Sequence, residues 1–267
     1  MASEENKVNA LWIGKQLSKL ELLTLHSFIA HGHSFKLWLY DELENDLPES
    51  IEIGDASVII PREKVFSYRN QNSFGHGKGS YAGFSDIFRY KLLHEHGGWW
   101  VDMDITCLKN FDFDAPYIFR NHHELNVVGN VMKCPKNSEL MKACYEEAID
   151  QVNEHNTDWH KPIDILNHNI KRLGLENYVM HNISNPDHWD ETRKYFSEKN
   201  DLPADWFFVH WQNEELRSRD ISKNDFFYRS AAARLAAHYN LFQMPDSFWQ
   251  KTINTIQHSE FIRILVP

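Results

Sequence analysis

The alternation of apolar and polar positions divides the chain into strand-like and helix-like segments. Residues 8–14 form a short apolar run that ends in glycine, a helical pattern follows over residues 19–30, and residues 35–40 form a second apolar run. This order of strand, helix and strand is typical of a parallel βαβ unit. Further strands are predicted over residues 58–60, 99–105 and 206–211, and further helices over residues 81–96, 136–153, 162–173, 225–239 and 246–257. The pattern predicts an α/β fold with a mostly parallel central sheet flanked by helices.

Charge and cysteine content narrow the class of protein. The formal net charge of -10 argues against general nucleic-acid binding, which needs a basic surface. The three cysteines show no Cys-x-x-Cys spacing, which favours buried thiols in a reducing compartment over a zinc site or a disulfide framework. The start of the chain lacks the apolar core of a secretory signal, and no apolar run approaches the roughly 20 residues of a membrane span. We therefore expect a cytoplasmic protein that does not bind nucleic acid.

The segment over residues 85–105, SDIFRYKLLHEHGGWWVDMDI, carries the most specific signal. Asp86 and Arg89 are three positions apart on the predicted helix and therefore share a face. After the glycine pair, Asp102 and Asp104 point to one side of the predicted strand, about 7 Å apart. Two carboxylates so placed repel each other unless a cation lies between them, and a hard divalent cation such as Mn²⁺ or Mg²⁺ prefers oxygen ligands.

The same residues have simpler interpretations. An Asp-x-Asp pair also occurs on solvated edge strands, and Asp86 with Arg89 also fits a surface ion pair worth under about 1 kcal/mol. The surrounding pattern favours a site, because the pair follows an apolar helix, a glycine stop and two tryptophans at the predicted carboxyl end of a sheet strand.

This segment resembles the sugar-binding DxD region of glycosyltransferase family 32 and of the clostridial glucosylating toxins. The shared pattern is Ser-Asp, an arginine three positions on, Gly-Gly, an aromatic residue and Asp-x-Asp. Residues 11–14 (LWIG) are similar to the Trp-Ile-Gly at the start of that domain, and residues 37–41 (LWLYD) to its second strand. Residues 209–213 (VHWQN) are similar to a His-x-Trp-Asn-like segment near its end, although Trp211 stands one position early. Residues 111–204 match no part of the family pattern.

The resemblance implies a GT-A fold and a retaining transfer of a sugar from a nucleotide diphosphate donor, with Mn²⁺ or Mg²⁺ as the cofactor. Residues 1–220 are then expected to form the catalytic domain, with nucleotide-sugar binding centred on residues 8–110. Residues 221–267 are expected to form a helical extension packed on the same domain.

Individual roles follow from the resemblance position by position. Trp12, followed by Ile13 and Gly14, would stack on the nucleobase, although a tryptophan at a strand end is also a common core residue. Asp86 and Arg89 would orient the donor sugar. Trp100 would flank the donor. Asp102 would reach the ribose and a metal-bound water, and Asp104 would ligate the metal directly.

The end of the last predicted strand supplies two more candidates. His210 closes an aromatic strand and is a candidate metal ligand, with an ordinary structural histidine as the alternative. Asn213 is a candidate for contact with the diphosphate. The apolar positions within residues 248–256 fit helix packing, and peripheral membrane contact beside a lipid-linked acceptor is the alternative.

The expected function is therefore transfer of a hexose, with UDP-glucose or UDP-galactose as the lead donors, to a glycan or lipid-linked acceptor in surface polysaccharide synthesis. A location in the cytoplasm, at the inner face of the membrane, fits such an acceptor. Two other classes remain open: a non-catalytic module that binds nucleotide sugars, and a metal-dependent phosphohydrolase. A hydrolase is expected to carry more Asp and His ligands close to the pair than this chain does.

Overall fold

The structure is a computed structural model that describes residues 6–73 and 75–243. In chain order the strands are β1 (Val8–Trp12), β2 (Phe35–Leu39), β3 (Ile51–Asp55), β4 (Gly98–Val101), β5 (Ile105–Cys107), β6 (Ile118–His122), β7 (Asn126–Cys134), β8 (Val179–Met180) and β9 (Phe208–His210). The α-helices are α1 (Lys19–Ala30), α2 (Ala82–His96), α3 (Glu139–Gln151), α4 (Lys161–Arg172), α5 (Trp189–Ser197), α6 (Asn213–Ser218) and α7 (Ala231–His238). None of the helices in this part of the chain is long and apolar enough to cross a membrane.

A seven-stranded sheet organises the molecule, in the order β3-β2-β1-β4-β7-β6-β8. The first four of these strands are mutually parallel, β7 runs antiparallel to both its neighbours, and β6 pairs in parallel with β8. The predicted α/β fold with a mostly parallel central sheet is confirmed. Because β1 and β4 are parallel neighbours, their carboxyl ends meet at one edge of the sheet, where ligands of α/β proteins usually bind.

The two helices that frame the sheet are defined by local signals in the sequence. Ser18 caps α1 by accepting a hydrogen bond from the Leu20 amide, and Glu21 completes a capping box with it. Helix α2 ends at Gly97, whose φ of +71° is costly for other residues. A Cβ at Gly97 would also lie 2.5 Å from the Lys136 nitrogen, so both backbone conformation and space require glycine there.

Apolar side chains fill both faces of the sheet. On one face, Trp100 packs in a buried cluster with residues of α2, α3 and α4. On the other face, Trp99 and Val101 pack with residues of α1 and β5. The alternation of β4 is therefore as predicted, with successive side chains buried on opposite sides. A third cluster joins α1 to α5, α6 and α7.

The predicted third strand is wrong. Residues 58–60 were expected to be extended, but Val58 lies in a short 3₁₀ helix over Ala56–Val58. The strand is instead β3, seven residues earlier, which pairs with β2 over its whole length. Asp55 ends the strand because its carboxylate accepts a hydrogen bond from the Ser57 amide and starts the 3₁₀ turn.

Two other predicted strands are shorter than expected. The predicted strand over residues 99–105 breaks into β4 and β5, because the chain leaves the main sheet after Val101 to pair with β9. The predicted strand over residues 206–211 is reduced to β9.

The predicted helix over residues 225–239, capped by Asp225, begins only at Ala231. Ser230 caps it by accepting a hydrogen bond from the Ala233 amide, and the preceding Arg229 has a φ of +60°. Asp225 instead accepts a hydrogen bond from the Ser222 hydroxyl. The helix predicted over residues 246–257 and the apolar positions of residues 248–256 lie outside the described residues.

Candidate active site

The Asp102–Asp104 pair lies in the turn that joins the two sheets. The Ile105 amide donates to the Asp102 carbonyl at 3.1 Å, which closes the turn, and the Asp102 amide donates to the Asn130 carbonyl of β7 at 2.9 Å. Strand β5 then pairs antiparallel with β9, with Ile105 opposite His210. This pairing brings His210, more than a hundred positions away in the chain, next to the turn at the carboxyl end of β4.

Arg89 holds the two halves of the motif together. Its Nη1 lies 3.1 Å from Asp86 Oδ1 and its Nη2 lies 2.8 Å from Asp102 Oδ1. The guanidinium is also 5.2 Å from the centre of the Trp100 ring, and Arg89 is only 5% exposed. Burial raises the pKa of Asp86 to about 6, although Arg89 acts to lower it. Because this arginine is buried and pairs with two carboxylates, Asp86 and Arg89 do not form the surface ion pair that the sequence left open as an alternative.

A glycine of β7 makes room for this arginine. A Cβ at Gly129 would lie 2.2 Å from Arg89 Nη1 and 3.3 Å from Arg89 Cζ. No side chain fits there without moving the guanidinium, so Gly129 sets the position of the Asp86–Arg89–Asp102 group from the neighbouring strand.

Asp104 faces the last predicted strand. Its Oδ2 accepts a hydrogen bond from the Asn213 amide at 2.7 Å and lies 3.2 Å from His210 Nε2. The side-chain Oδ1 of Asn213 is buried and has no hydrogen-bond partner in the described part of the chain. A buried amide oxygen without a partner is costly and is common at ligand sites.

His210 is held on its other side by a buried acid that sequence analysis missed. Its Nδ1 lies 2.6 Å from Asp187 Oδ1, and Asp187 in turn pairs with the buried Arg120 at 2.5 Å. Burial alone would lower the pKa of His210, but Asp104 and Asp187 outweigh it and raise that pKa to about 10. Burial would raise the pKa of Asp187, but Arg120 and His210 hold it well below its usual range. In the absence of a cation, His210 is thus a protonated imidazole between two carboxylates.

Asp104 and His210 are placed to bind one divalent cation, with substrate oxygens as its remaining ligands. Two ligands of one octahedral cation with bonds of 2.0–2.1 Å lie roughly 3 Å apart, and His210 Nε2 and Asp104 Oδ2 are 3.2 Å apart. The contact of Asp187 with Nδ1 leaves Nε2 as the nitrogen that faces Asp104, an arrangement common around metal-bound histidines. Within residues 6–73 and 75–243 no group of three or more His, Cys, Asp or Glu side chains could hold a metal alone. Phosphate oxygens and water would have to complete the shell.

The other predicted residues lie around this centre. Trp12 ends β1 at the same sheet edge, is half-buried, and donates from Nε1 to the Gln16 carbonyl at 3.1 Å. Ile13 packs partly against the α2 face of the sheet, and the Gly14 amide donates to Asp41 Oδ2 at 3.0 Å. Trp100 is 1% exposed and lies beneath the site, where its Nε1 donates to Asp102 Oδ1 at 2.7 Å. This hydrogen bond fixes one carboxylate oxygen of Asp102, and the place of Trp100 beside the donor stays a prediction.

The residues that sequence analysis missed share a property. Arg120, Gly129, Asn130 and Asp187 lie in segments without a recognisable motif, and each reaches the site only through strand pairing or a long-range contact. The apolar pairs of β7, Val127–Val128 and Val131–Met132, were the available signal for a buried strand beside the motif. No local signal distinguishes Asp187 from the other acids of the chain.

The Asp-x-Asp turn thus lies at the carboxyl end of a central strand of an α/β fold, where ligands of such folds usually bind. Residues 40–123 match a protein family described as "Glycosyltransferase sugar-binding region containing DXD motif". The match covers the motif and confirms the resemblance to DxD glycosyltransferases for this part of the chain.

Comparisons with whole proteins are more distant. No curated protein matches the chain. Among solved structures, it is similar to "PaToxG Glycosyltransferase", with 14% identity and a TM-score of 0.47 over 63% of this chain and 68% of the other. It is also similar to a structure described as a transferase mutant with two cysteine-to-serine changes, with 12% identity and a TM-score of 0.41 over 74% of this chain and 92% of the other.

Proposed function

We propose that the chain is a glycosyltransferase that uses a nucleotide diphosphate sugar and a divalent cation, Mn²⁺ or Mg²⁺. The observation that carries the proposal is the convergence of Asp102 and Asp104 with the buried Asp86–Arg89 pair, all inside the segment that matches the DxD family, and with His210 from outside that segment. A simple surface pair of aspartates would not require a buried arginine on one side and a carboxylate-bound histidine on the other.

Each side chain of the site has a part in binding the donor. Asp104 and His210 would hold the cation, and Asp102 would reach the ribose and a metal-bound water through the oxygen that Arg89 and Trp100 leave open. When bound, the cation neutralises charge on the departing diphosphate. The Asn213 side chain would donate from its amide Nδ2 to the same diphosphate, and Trp12 would stack on the base, for which we expect uracil.

The transfer is proposed to retain the configuration of a hexose such as glucose or galactose. The bond between the anomeric carbon and the diphosphate oxygen breaks, and the acceptor oxygen attacks on the same face. The acceptor's proton passes to the leaving phosphate. Asp86 and Asp102 both pair with Arg89, so neither is proposed as a nucleophile, and Asp86 with Arg89 serves to orient the sugar. The acceptor is a glycan or a lipid-linked sugar of surface polysaccharide synthesis, and the buried free cysteines fit a cytoplasmic reaction.

A donor screen tests this proposal. Purified protein is incubated with nucleotide sugars, with and without Mn²⁺, and thermal stabilisation and nucleotide release are measured. Stabilisation by one donor and slow release of its nucleoside diphosphate are expected, both abolished by a chelator. Release of monophosphate would indicate a phosphohydrolase, and binding without release would indicate a non-catalytic module.

The variant Asp104→Asn tests whether Asp104 binds the cation. Loss of the negative charge should abolish Mn²⁺-dependent donor stabilisation and lower release by about a hundredfold or more, since a metal-bound charge supplies several kcal/mol. The matched control is Asp114→Asn, an exposed aspartate outside the motif, which should behave as wild type. Unchanged release from Asp104→Asn would contradict the metal site.

A further inference from the structure

The described residues form a pocket whose lining includes none of the proposed donor-site residues. It has a volume of about 330 Å³, near the lower end of small-molecule pockets, and is open to solvent. It lies between the loop before α2 and the segment that leads into α4. Its lining combines one half-exposed tryptophan with short polar side chains, and includes Gln71, Ser73, Thr157, Asp158, Trp159 and His160.

One wall of this pocket is linked through Tyr68 to α2, the helix that carries Asp86. The Trp159 and Tyr68 ring centres are 5.7 Å apart, and Tyr68 is buried against α2. A Cβ at Gly83 would lie 2.1 Å from the Tyr68 hydroxyl, so that hydroxyl points at the turn of α2 that precedes Asp86. Gly83 and Asp86 are three positions apart and share a helix face. A single ring therefore separates Trp159 from the acid proposed to hold the donor sugar.

The other wall is linked by hydrogen bonds to α6, the helix that begins beside Asp104. A Cβ at Gly77 would lie 3.5 Å from the Trp159 ring, so the loop backbone packs against this tryptophan. The Gly77 amide donates to Glu214 Oε1 at 2.8 Å, and Arg217 Nη1 donates to the Lys78 carbonyl at 2.9 Å. Glu214 and Arg217 belong to α6, which begins at Asn213 beside Asp104. The pocket is thus connected to both halves of the donor site.

The chemistry of the lining selects the class of ligand. Hydroxyl, amide and carboxylate side chains next to an aromatic ring suit a sugar, whose hydroxyls hydrogen-bond and whose C–H face packs on the ring. The lining includes a carboxylate and neither arginine nor lysine among the described residues, so an anionic phosphate is disfavoured.

We propose that this pocket binds a neutral sugar unit of the acceptor, with Trp159 as the surface on which its ring packs. The proposal rests on the proposed glycosyltransferase function and adds the place from which the acceptor hydroxyl approaches. Bound there, the acceptor enters beside Asp86, between residues 71–73 of the loop before α2 and the segment before α4.

The test separates acceptor binding from donor cleavage. Free glucose, galactose and N-acetylglucosamine are the probes, and their binding is measured by saturation-transfer NMR without donor. Transfer to each sugar, and nucleotide release without sugar, are measured separately with the nucleotide sugar that stabilises the protein. Trp159→Ala removes the packing surface, Trp159→Phe keeps a ring, and Trp206→Ala is the control at a half-buried tryptophan elsewhere.

For Trp159→Ala we expect loss of the NMR signal and a KM for the sugar about tenfold higher, with donor release within about twofold of wild type. Trp159→Phe should recover most of the affinity, and Trp206→Ala should change neither quantity. The proposal is overturned if no probe binds wild type, if Trp159→Ala binds the sugars normally, or if sugar affinity and donor release fall together. Sugar binding at Trp159 without any donor cleavage would instead overturn the transferase function and leave a saccharide site.

Discussion

His210 is the residue whose environment most changes the expectation drawn from the sequence. A free imidazole would lose its proton near pH 6.5, but the carboxylates of Asp104 and Asp187 outweigh burial and raise the pKa of His210 to about 10. A cation at Nε2 can bind only after that proton leaves. If His210 ligates the cation as proposed, metal binding is therefore coupled to release of one proton over the whole neutral range.

We predict that the apparent affinity for Mn²⁺ rises by about tenfold per pH unit between roughly pH 6 and pH 8, as one proton is displaced. Because the pKa of His210 is raised, His210 of the metal-free protein is protonated throughout this range. A higher pH therefore favours metal binding. Isothermal titration in buffers of different ionisation enthalpy measures both affinity and proton release.

Two variants make this prediction specific to His210. Asp187→Asn removes one of the acids that hold the proton, so the rise in affinity should level off at a lower pH. His210→Ala should bind Mn²⁺ more weakly and release no proton. An affinity of wild type that is constant above pH 7 would show that His210 is not a ligand.

At the scale of elements, the sequence predicted what is encoded locally. Helix α1 has its capping box and α2 its glycine stop, and both were predicted within one residue of their ends. Strand β3 was misplaced because two isoleucine-containing runs lie close together and only pairing with β2 selects the first. The break between β4 and β5 depends on β9, a partner far along the chain, and local alternation does not reveal it.

The candidate site shows the same division. The motif residues on α2 and after β4 could be predicted because they are close in sequence and share a helix face or a strand face. The strand β7 and the Asp187–Arg120 pair could not, since they reach the site only through sheet pairing and a buried ion pair. Local patterns thus identified the acids proposed to face the ligand, and long-range packing supplied the residues that hold them in place.

Strand β7 should control the site through Gly129. We predict that Gly129→Ala lowers stability by about 1–3 kcal/mol, typical of overpacking, and weakens donor binding, because the new Cβ displaces Arg89 Nη1. Thermal unfolding and donor thermal shift measure the two effects. Lysine lacks the Nη1 atom, so the double variant Gly129→Ala with Arg89→Lys should lose less stability than the two changes added together. Full additivity would show that the two residues do not clash.

At the scale of the whole molecule, we predicted that the residues after 220 pack on the same domain as residues 1–220. The structure describes residues 221–243 of this segment. Phe226, Ala232 and Ala233 are buried in one cluster with Leu20 of α1 and with Trp211, which directly follows β9. The Lys19 amide also donates to Asn224 Oδ1 at 3.0 Å. These contacts predict that residues 221–243 unfold together with the sheet and α1, in a single transition.

Phe226→Ala tests this. Removal of a buried phenylalanine should cost about 3–5 kcal/mol of unfolding free energy, and the whole transition should move, as followed by both circular dichroism and tryptophan fluorescence. Tyr228→Ala is the control, because Tyr228 is only half-buried two positions away, and a loss well below that of Phe226→Ala is expected. A small early transition in Phe226→Ala, with the main transition and donor binding unchanged, would show that the C-terminal segment is a separate unit. A single transition shifted to lower temperature, with donor binding lost in parallel, would show that Trp211 and the adjoining His210 depend on this cluster for their position.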